Sequence, residues 1–135
     1  MVTAGNARLA ARRAQLKSIA EAYFEGMAKK DMSAVPWDDN VVLRGPLAPG
    51  GVNTPLLGKQ AVLHWFASLF PVLGEMTVIE HYFNEGLTVI ATRSDVGITS
   101  PPCTLRVVDR FTVSAEGKIT QQENHYDPRP ALATS

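Results

Sequence analysis

The sequence predicts an α+β fold, in which helices come first and a curved, mostly antiparallel sheet then packs against them on one side. Three observations point to it. Apolar residues recur with helical spacing over residues 7–30 and again over residues 58–71. Most of the remaining chain reads as short strands broken by Gly, Pro and Asn turn signals. The order is helix, strand, helix, then a run of strands, with no internal repeat and no low-complexity segment.

The elements follow in order. In the first helix Leu16, Ile19, Ala20, Tyr23, Phe24 and Met27 share one stripe, while Arg12, Lys17, Glu21 and Lys29 take other faces. Asp31 is placed to cap a short second helix that Pro36 ends. WDDNVVLRGPL then reads as a strand over residues 41–44, stopped by Gly45-Pro46. The stretch APGGVNTPLLG reads as a loop, long enough to serve as a binding loop or lid. Residues 58–71 form the clearest helix, with Val62, Trp65, Phe66, Leu69 and Phe70 aligned and Pro71 at its end. The strands MTVIEHYFNEG, LTVIATRSDVGI, CTLRVVDRFTV and KITQQENHYD follow. Breaks at Asn84-Glu85-Gly86, Ser100-Pro101-Pro102 and Ser114-Ala115-Glu116-Gly117 separate them.

Composition narrows the function. The 135 residues suit one domain, 1–135, with one core and no need of staples. Lys+Arg and Asp+Glu are both 13, so the net charge is zero and nucleic acid is not an expected partner. The cluster Arg8, Arg12 and Arg13 reads as a solvated helix face. The single cysteine, Cys103, permits no intramolecular disulfide and no cysteine zinc set, and reads as a small buried hydrophobe. His64, His81 and His125 lack metal-ligand spacing, and no metal or cofactor is expected. No apolar run approaches the ~20 residues that cross a bilayer. The first residues lack an apolar signal core. The expectation is a cytoplasmic protein without membrane contact. Glycine-rich nucleotide motifs and the G-x-S-x-G elbow are absent.

Several polar residues are candidates for chemistry. On the third long strand Leu105, Val107, Asp109, Phe111 and Val113 share a face, so Asp109 is predicted to be buried among apolar neighbours. Such an acid either finds a donor and is structural, or stays protonated and serves a site. Arg93 and Asp95 share a face of the preceding strand. Gln121, Glu123, His125 and Asp127 share a face of the last one, read as part pocket floor and part interface. An Arg bridging two carboxylates suits paired acid and base work, or is a cross-strand salt bridge. Tyr23 is a core residue or a pocket hydroxyl, His125 a proton shuttle or a surface group, and Arg44 an anion contact or a solvated side chain.

The segments AYFEGMAKKD, GKQAVLHWFASLF and EGKITQQENHYDPRPAL resemble the superfamily of nuclear transport factor 2-like proteins, and its SnoaL-like members in particular. The resemblance implies a cone-shaped, curved mixed or antiparallel sheet whose concave side holds the N-terminal helices and encloses a deep, mostly apolar pocket. It runs from about Leu16 to Leu132. Two enzyme families within it match in part. Arg93-Ser94-Asp95 with Tyr126-Asp127-Pro128-Arg129 is similar to the site of limonene-1,2-epoxide hydrolases. That likeness implies that Asp127 activates water, Asp95 protonates the epoxide oxygen and Arg93 bridges them, although Val42 and Arg44 stand where that family holds the water. Tyr23 and Asp109 are similar to the Tyr and protonated Asp of the ketosteroid isomerase oxyanion hole, while Gly45 replaces that family's base.

The reading that follows is an acid/base enzyme on a small apolar molecule, with Asp127, Asp95 and Arg93 as catalytic residues and epoxide hydration as the first activity. An isomerase, cyclase or dehydratase is the next, and a non-catalytic ligand- or partner-binding module the third. The enzyme readings expect a pocket of roughly a few hundred cubic ångströms, lined by Tyr23, Leu43, Trp65, Phe66, Leu69 and Phe111. The binding-module reading expects a closed salt bridge with no cavity beside it. The alternating groups Thr104, Arg106, Val108 and Arg110 suggest a sheet surface that pairs two copies as a homodimer.

Overall fold

A computed structural model describes residues 4–132, so residues 1–3 and 133–135 of the expected domain lie outside the described part. Helix α1 (Ala4–Lys29) buries Leu16, Ile19, Ala20, Tyr23, Phe24 and Met27, the predicted stripe. The chain then reverses so tightly that a Cβ on Gly26 would stand 2.9 Å from the Asp31 carbonyl oxygen. The predicted second helix is not formed. Asp31 caps no helix; its carboxylate accepts the Ser33 N–H (3.0 Å) in a short turn, and Val35 and Trp37 are pulled straight into the core. Strand β1 (Trp37–Arg44) begins four residues earlier than its apolar part suggests.

Within the Gly/Pro-rich stretch only Leu56–Leu57 (β2) pairs, antiparallel to β1. Helix α2 (Lys59–Leu69) buries Val62 and Phe66 and ends in a single 3₁₀ turn at Pro71. Strands β3 (Leu73–Phe83), β4 (Val89–Thr99), β5 (Pro102–Val113) and β6 (Ile119–His125) complete the sheet. A one-turn helix α3 (Arg129–Leu132) closes the described chain.

The strand order is β2-β1-β6-β5-β4-β3. Strands β3 to β6 form an antiparallel meander, and β6 then lies parallel to β1, so the sheet is mixed. Register shifts interrupt β1–β6, β3–β4 and β5–β6. Bulges of this kind bend a strand and increase its twist, which curls the sheet around the helices. On the inner face Tyr23 makes edge contacts with Phe24, Phe66 and Phe111 at centroid distances of 4.9, 5.5 and 5.1 Å, and Phe66 stacks on Trp37 at 5.5 Å.

The arginines of α1 divide in a way the sequence does not show. Arg12 is half-buried and donates from Nε to the Leu87 carbonyl (2.9 Å) and from Nη2 to the Val113 carbonyl (3.0 Å), tying the helix to two strand ends. Arg13 lies over the Phe83 ring at 4.9 Å. Arg8 and Arg13 are both exposed, as the solvated reading expects, and Arg12 alone of the three is not. No described helix is long and apolar enough to cross a membrane.

Candidate functional site

A cavity of about 60 Å³ opens between α1, α2 and the inner face of β4 to β6. Its walls are apolar: Met27 from α1, Trp65, Phe66 and Leu69 from α2, Val96 and Ile98 from β4, and Leu105 and Val107 from β5. Its polar groups are Tyr23, Asp109, Asn124 and Tyr126. One water needs about 10–15 Å³ on this scale. The space therefore suits a small molecule and falls short of the few hundred cubic ångströms expected. The aromatic cluster of Tyr23, Phe66 and Trp37 fills the rest of the cone. Leu43 and Phe111, expected to line the pocket, are fully buried in the core and do not reach it.

Asp109 sits on β5 between Thr92 of β4 and Asn124 of β6. The apolar face around it is buried as its alternation predicts, and Asp109 itself is 3% exposed. Among the described residues no donor comes within hydrogen-bond distance of its carboxyl. Burial pushes its pKa up to about 8, so the group is mainly a neutral carboxylic acid at pH 7. Tyr23 and Tyr126 stand close enough to feel its charge. Burial raises both phenols, Tyr126 to about 12, and an ionised Asp109 raises them further.

The polar residues of β6 that enter the site are the opposite set from the predicted one. Gln122 and Asn124 are buried, whereas Gln121 and His125 are exposed. The reason is a bulge. Ile119 pairs with Val113, but Gln121 pairs with Thr112, so Thr120 is an extra residue in β6. Unbroken alternation from the buried Ile119 would carry 121, 123, 125 and 127 inward. The extra residue reverses the phase and turns Gln122, Asn124 and then Tyr126 toward the helices. Gln122 accepts from Trp37 Nε1–H (2.9 Å) and donates to Asn124 Oδ1 (3.2 Å). The Gln122 side chain also acts on the Tyr23 phenol, whose pKa it lowers against the larger rise from burial.

The same geometry separates the predicted catalytic trio from the cavity. On β4 the inner residues are Ile90, Thr92, Ser94 and Val96, so Arg93 and Asp95 lie on the outer face of the sheet. There Arg93 pairs with Asp95 at 2.8 Å and also donates to the Ser94 carbonyl. Asp127 follows β6 on the outside and pairs with Arg129 at 2.7 Å, an interaction that lowers its pKa to about 2. The structure thus does not bring Asp127, Asp95 and Arg93 together, and none of them lines the cavity. His125 is exposed beside Glu123, 3.5 Å away, instead of in the pocket. Arg44 donates from Nη1 to the carbonyls of Val52 (2.8 Å) and Asn53 (3.0 Å), where it pins the loop after β1.

Along the end of β1 and just beyond it Val41, Leu43 and Gly45 are buried, so Val42 and Arg44 face away from the cavity. At Gly45 a Cβ would meet Asn124 Cβ and Nδ2 at 3.5 Å, an ordinary contact. Of the residues named from sequence for the pocket, Tyr23, Trp65, Phe66, Leu69 and Asp109 line the cavity; Asn124 and Tyr126 are the polar additions, and Leu47 is among the apolar ones. Among the described residues no cluster of three or more His, Cys, Asp or Glu could hold a metal ion.

Comparison with known proteins agrees with this architecture. The SnoaL-like domain family matches over residues 20–122. A steroid delta-isomerase from Pseudomonas aeruginosa superposes with a TM-score of 0.71 at 16% identity, over 88% of this chain and 84% of that one. SalBIII, described as an epoxide hydrolase/cyclase-like enzyme in pyran ring formation in the polyether salinomycin, gives 0.71 at 17%, over 85% and 92%. RV0760c from Mycobacterium tuberculosis in complex with estradiol-17beta-hemisuccinate gives 0.69 at 17%, over 84% and 94%. At these identities the likeness shows the shared nuclear transport factor 2-like fold alone. No curated protein matches by sequence.

Proposed function

The chain belongs to the SnoaL-like domain family, and from that premise we propose that it is an acid/base enzyme for a small, mostly apolar molecule bearing a reactive oxygen, with Asp109 as the acid. One observation carries this reading. A neutral carboxyl without a hydrogen-bond partner among the described residues faces an apolar cavity wide enough for a ligand. An O–H donor in a dry site strengthens as charge develops on the oxygen it touches. That serves isomerisation, cyclisation, dehydration and epoxide opening alike. In each, an oxygen gains negative charge or a proton in the transition state.

Within this class the isomerase or cyclase kind fits better than hydration by Asp127. Asp127 is exposed and held ionised by Arg129, which makes it a weak base. The steroid ligand of the Mycobacterium relative and the ring-forming role of SalBIII are oxygenated, largely apolar chemistry of the same broad type. The ligand here is smaller, given the cavity. We also propose a homodimer through the outer sheet face around Thr104, Arg106, Val108 and Arg110, which lies opposite the cavity.

The test is turnover of a panel of small cyclic epoxides and hydroxy-epoxides in ¹⁸O-labelled water. Asp109→Asn is expected to lose roughly 100-fold or more in rate, and Asp127→Asn to keep it within about twofold. The reverse pattern, with label in a diol product, would return the chemistry to Asp127. Binding without turnover by the unaltered protein would leave a ligand-binding module as the function.

A further inference from the structure

Asp109 is one member of a polar row that crosses the inner face of the sheet. In direct register His81 of β3 stands opposite Thr92 of β4, Thr92 opposite Asp109 of β5, and Asp109 opposite Asn124 of β6. The β4–β5 ladder is unbroken from Val89 opposite Thr112 to Thr99 opposite Pro102, so Thr92 and Asp109 are side-by-side neighbours on one face. Facing residues of such a pair hold their Cβ atoms about 5 Å apart, a spacing that a turn of the carboxyl closes to hydrogen-bond distance. Thr92 is fully buried, and its Oγ1 lies 2.8 Å from His81 Nδ1. Among the described residues His81 is the only hydrogen-bond partner of that hydroxyl. With Nδ1 on Thr92, the other ring nitrogen of His81 is left for the groove between α1 and β3, which His81 lines together with Arg13, Lys17 and Glu80. The groove shares no lining residue with the cavity, so the row joins the cavity acid to a second opening.

We propose that His81 and Thr92 form a proton relay that recharges Asp109 from the groove while a ligand occupies the cavity. This rests on the reading of Asp109 as the acid and adds where its proton comes from. The cavity is small and its walls are apolar, so a bound ligand keeps water from the carboxyl on that side. After Asp109 has given its proton to a ligand oxygen, the protonated His81 ring passes its Nδ1–H to Thr92 Oγ1, and the Thr92 hydroxyl proton passes to the Asp109 carboxylate. One proton moves inward, the imidazole is left neutral, and water in the groove protonates it again. Burial lowers the pKa of His81 from 6.5, while Glu21 of α1 raises it and Lys17 lowers it. The ring is therefore mainly neutral at pH 7 and carries charge only in passing.

The relay runs in both directions, so a pH jump tests it without a substrate. The infrared band of the neutral carboxyl, assigned by its loss in Asp109→Asn, is followed by stopped flow from below to above its pKa of about 8. His81→Ala is expected to slow the loss of that band roughly tenfold or more, and added imidazole, filling the vacated place, to restore the rate. Thr92→Val keeps the side-chain shape without the hydroxyl, and is expected to slow the loss as much with no rescue by imidazole. His125→Ala, at an exposed site, should leave the rate unchanged. An unchanged rate in either relay variant, failure of imidazole to restore His81→Ala, or equal rescue of both would overturn the relay and leave Asp109 as the acid. Absence of the band in the parent protein below that pH would mean an ionised Asp109, and both readings would fail together.

Discussion

Asp109 makes stability depend on pH between about 4 and 8. A carboxyl whose pKa is raised from 3.8 to about 8 on folding binds its proton more tightly in the native state than in the unfolded one. Its contribution is therefore most favourable below about pH 4, declines as pH rises, and levels off above about pH 8. Asp109→Asn removes that titration. The variant is expected to be more stable than the parent at pH 8, by an amount on the order of a few kcal/mol, with the advantage shrinking toward pH 4. Urea unfolding at the two pH values measures this; an unchanged pH slope in the variant would show that Asp109 ionises normally. Neighbouring residues explain why the acid is tolerated. Gln122 accepts from Trp37 and donates to Asn124, so among the described residues these neighbours turn hydrogen bonds to one another and leave the Asp109 carboxyl without a donor.

Between elements, single polar ties matter more than the apolar pattern suggests. Arg12 links α1 to the β3–β4 turn and to the end of β5. The carbonyl it holds belongs to Leu87, a buried residue with φ of +52°, a conformation that a leucine adopts only when its surroundings enforce it. Arg12→Ala is expected to destabilise the fold by about 1–3 kcal/mol, from two lost charge-assisted hydrogen bonds. Arg8→Ala is expected to change it by less than about 0.5 kcal/mol. Equal effects in chemical denaturation would mean that both arginines are merely solvated. Sequence periodicity found α1, α2 and all four long strands, because burying an apolar stripe dictates their period. It missed the start of β1, where Trp37 is the lone apolar residue before a polar run. It also read Asp31 as a cap, since an Asx turn and a helix start have the same residues.

At the scale of the whole molecule, the bulges close the cone and decide which side of each strand meets the helices. That leaves Arg93, Asp95, Arg106 and Arg110 on the outer face, with Val108 half-buried among them. This is the face through which two copies are proposed to pair. Light scattering at micromolar concentration is expected to give the mass of a dimer, and Val108→Glu to shift it toward the monomer. A monomeric parent protein would exclude the arrangement.

By itself the sequence determined the α+β class, the order of elements, the apolar stripes and the burial of Asp109, because each follows from local periodicity and from the cost of exposing apolar surface. Tertiary structure alone decided which polar residues share the cavity. One extra residue at Thr120 reverses the faces of β6. Bulge positions depend on pairing with β5 and β1, a non-local fit that no stretch of chain encodes alone. Hence Asn124 and Tyr126 join Asp109, while Asp127 turns outward to Arg129.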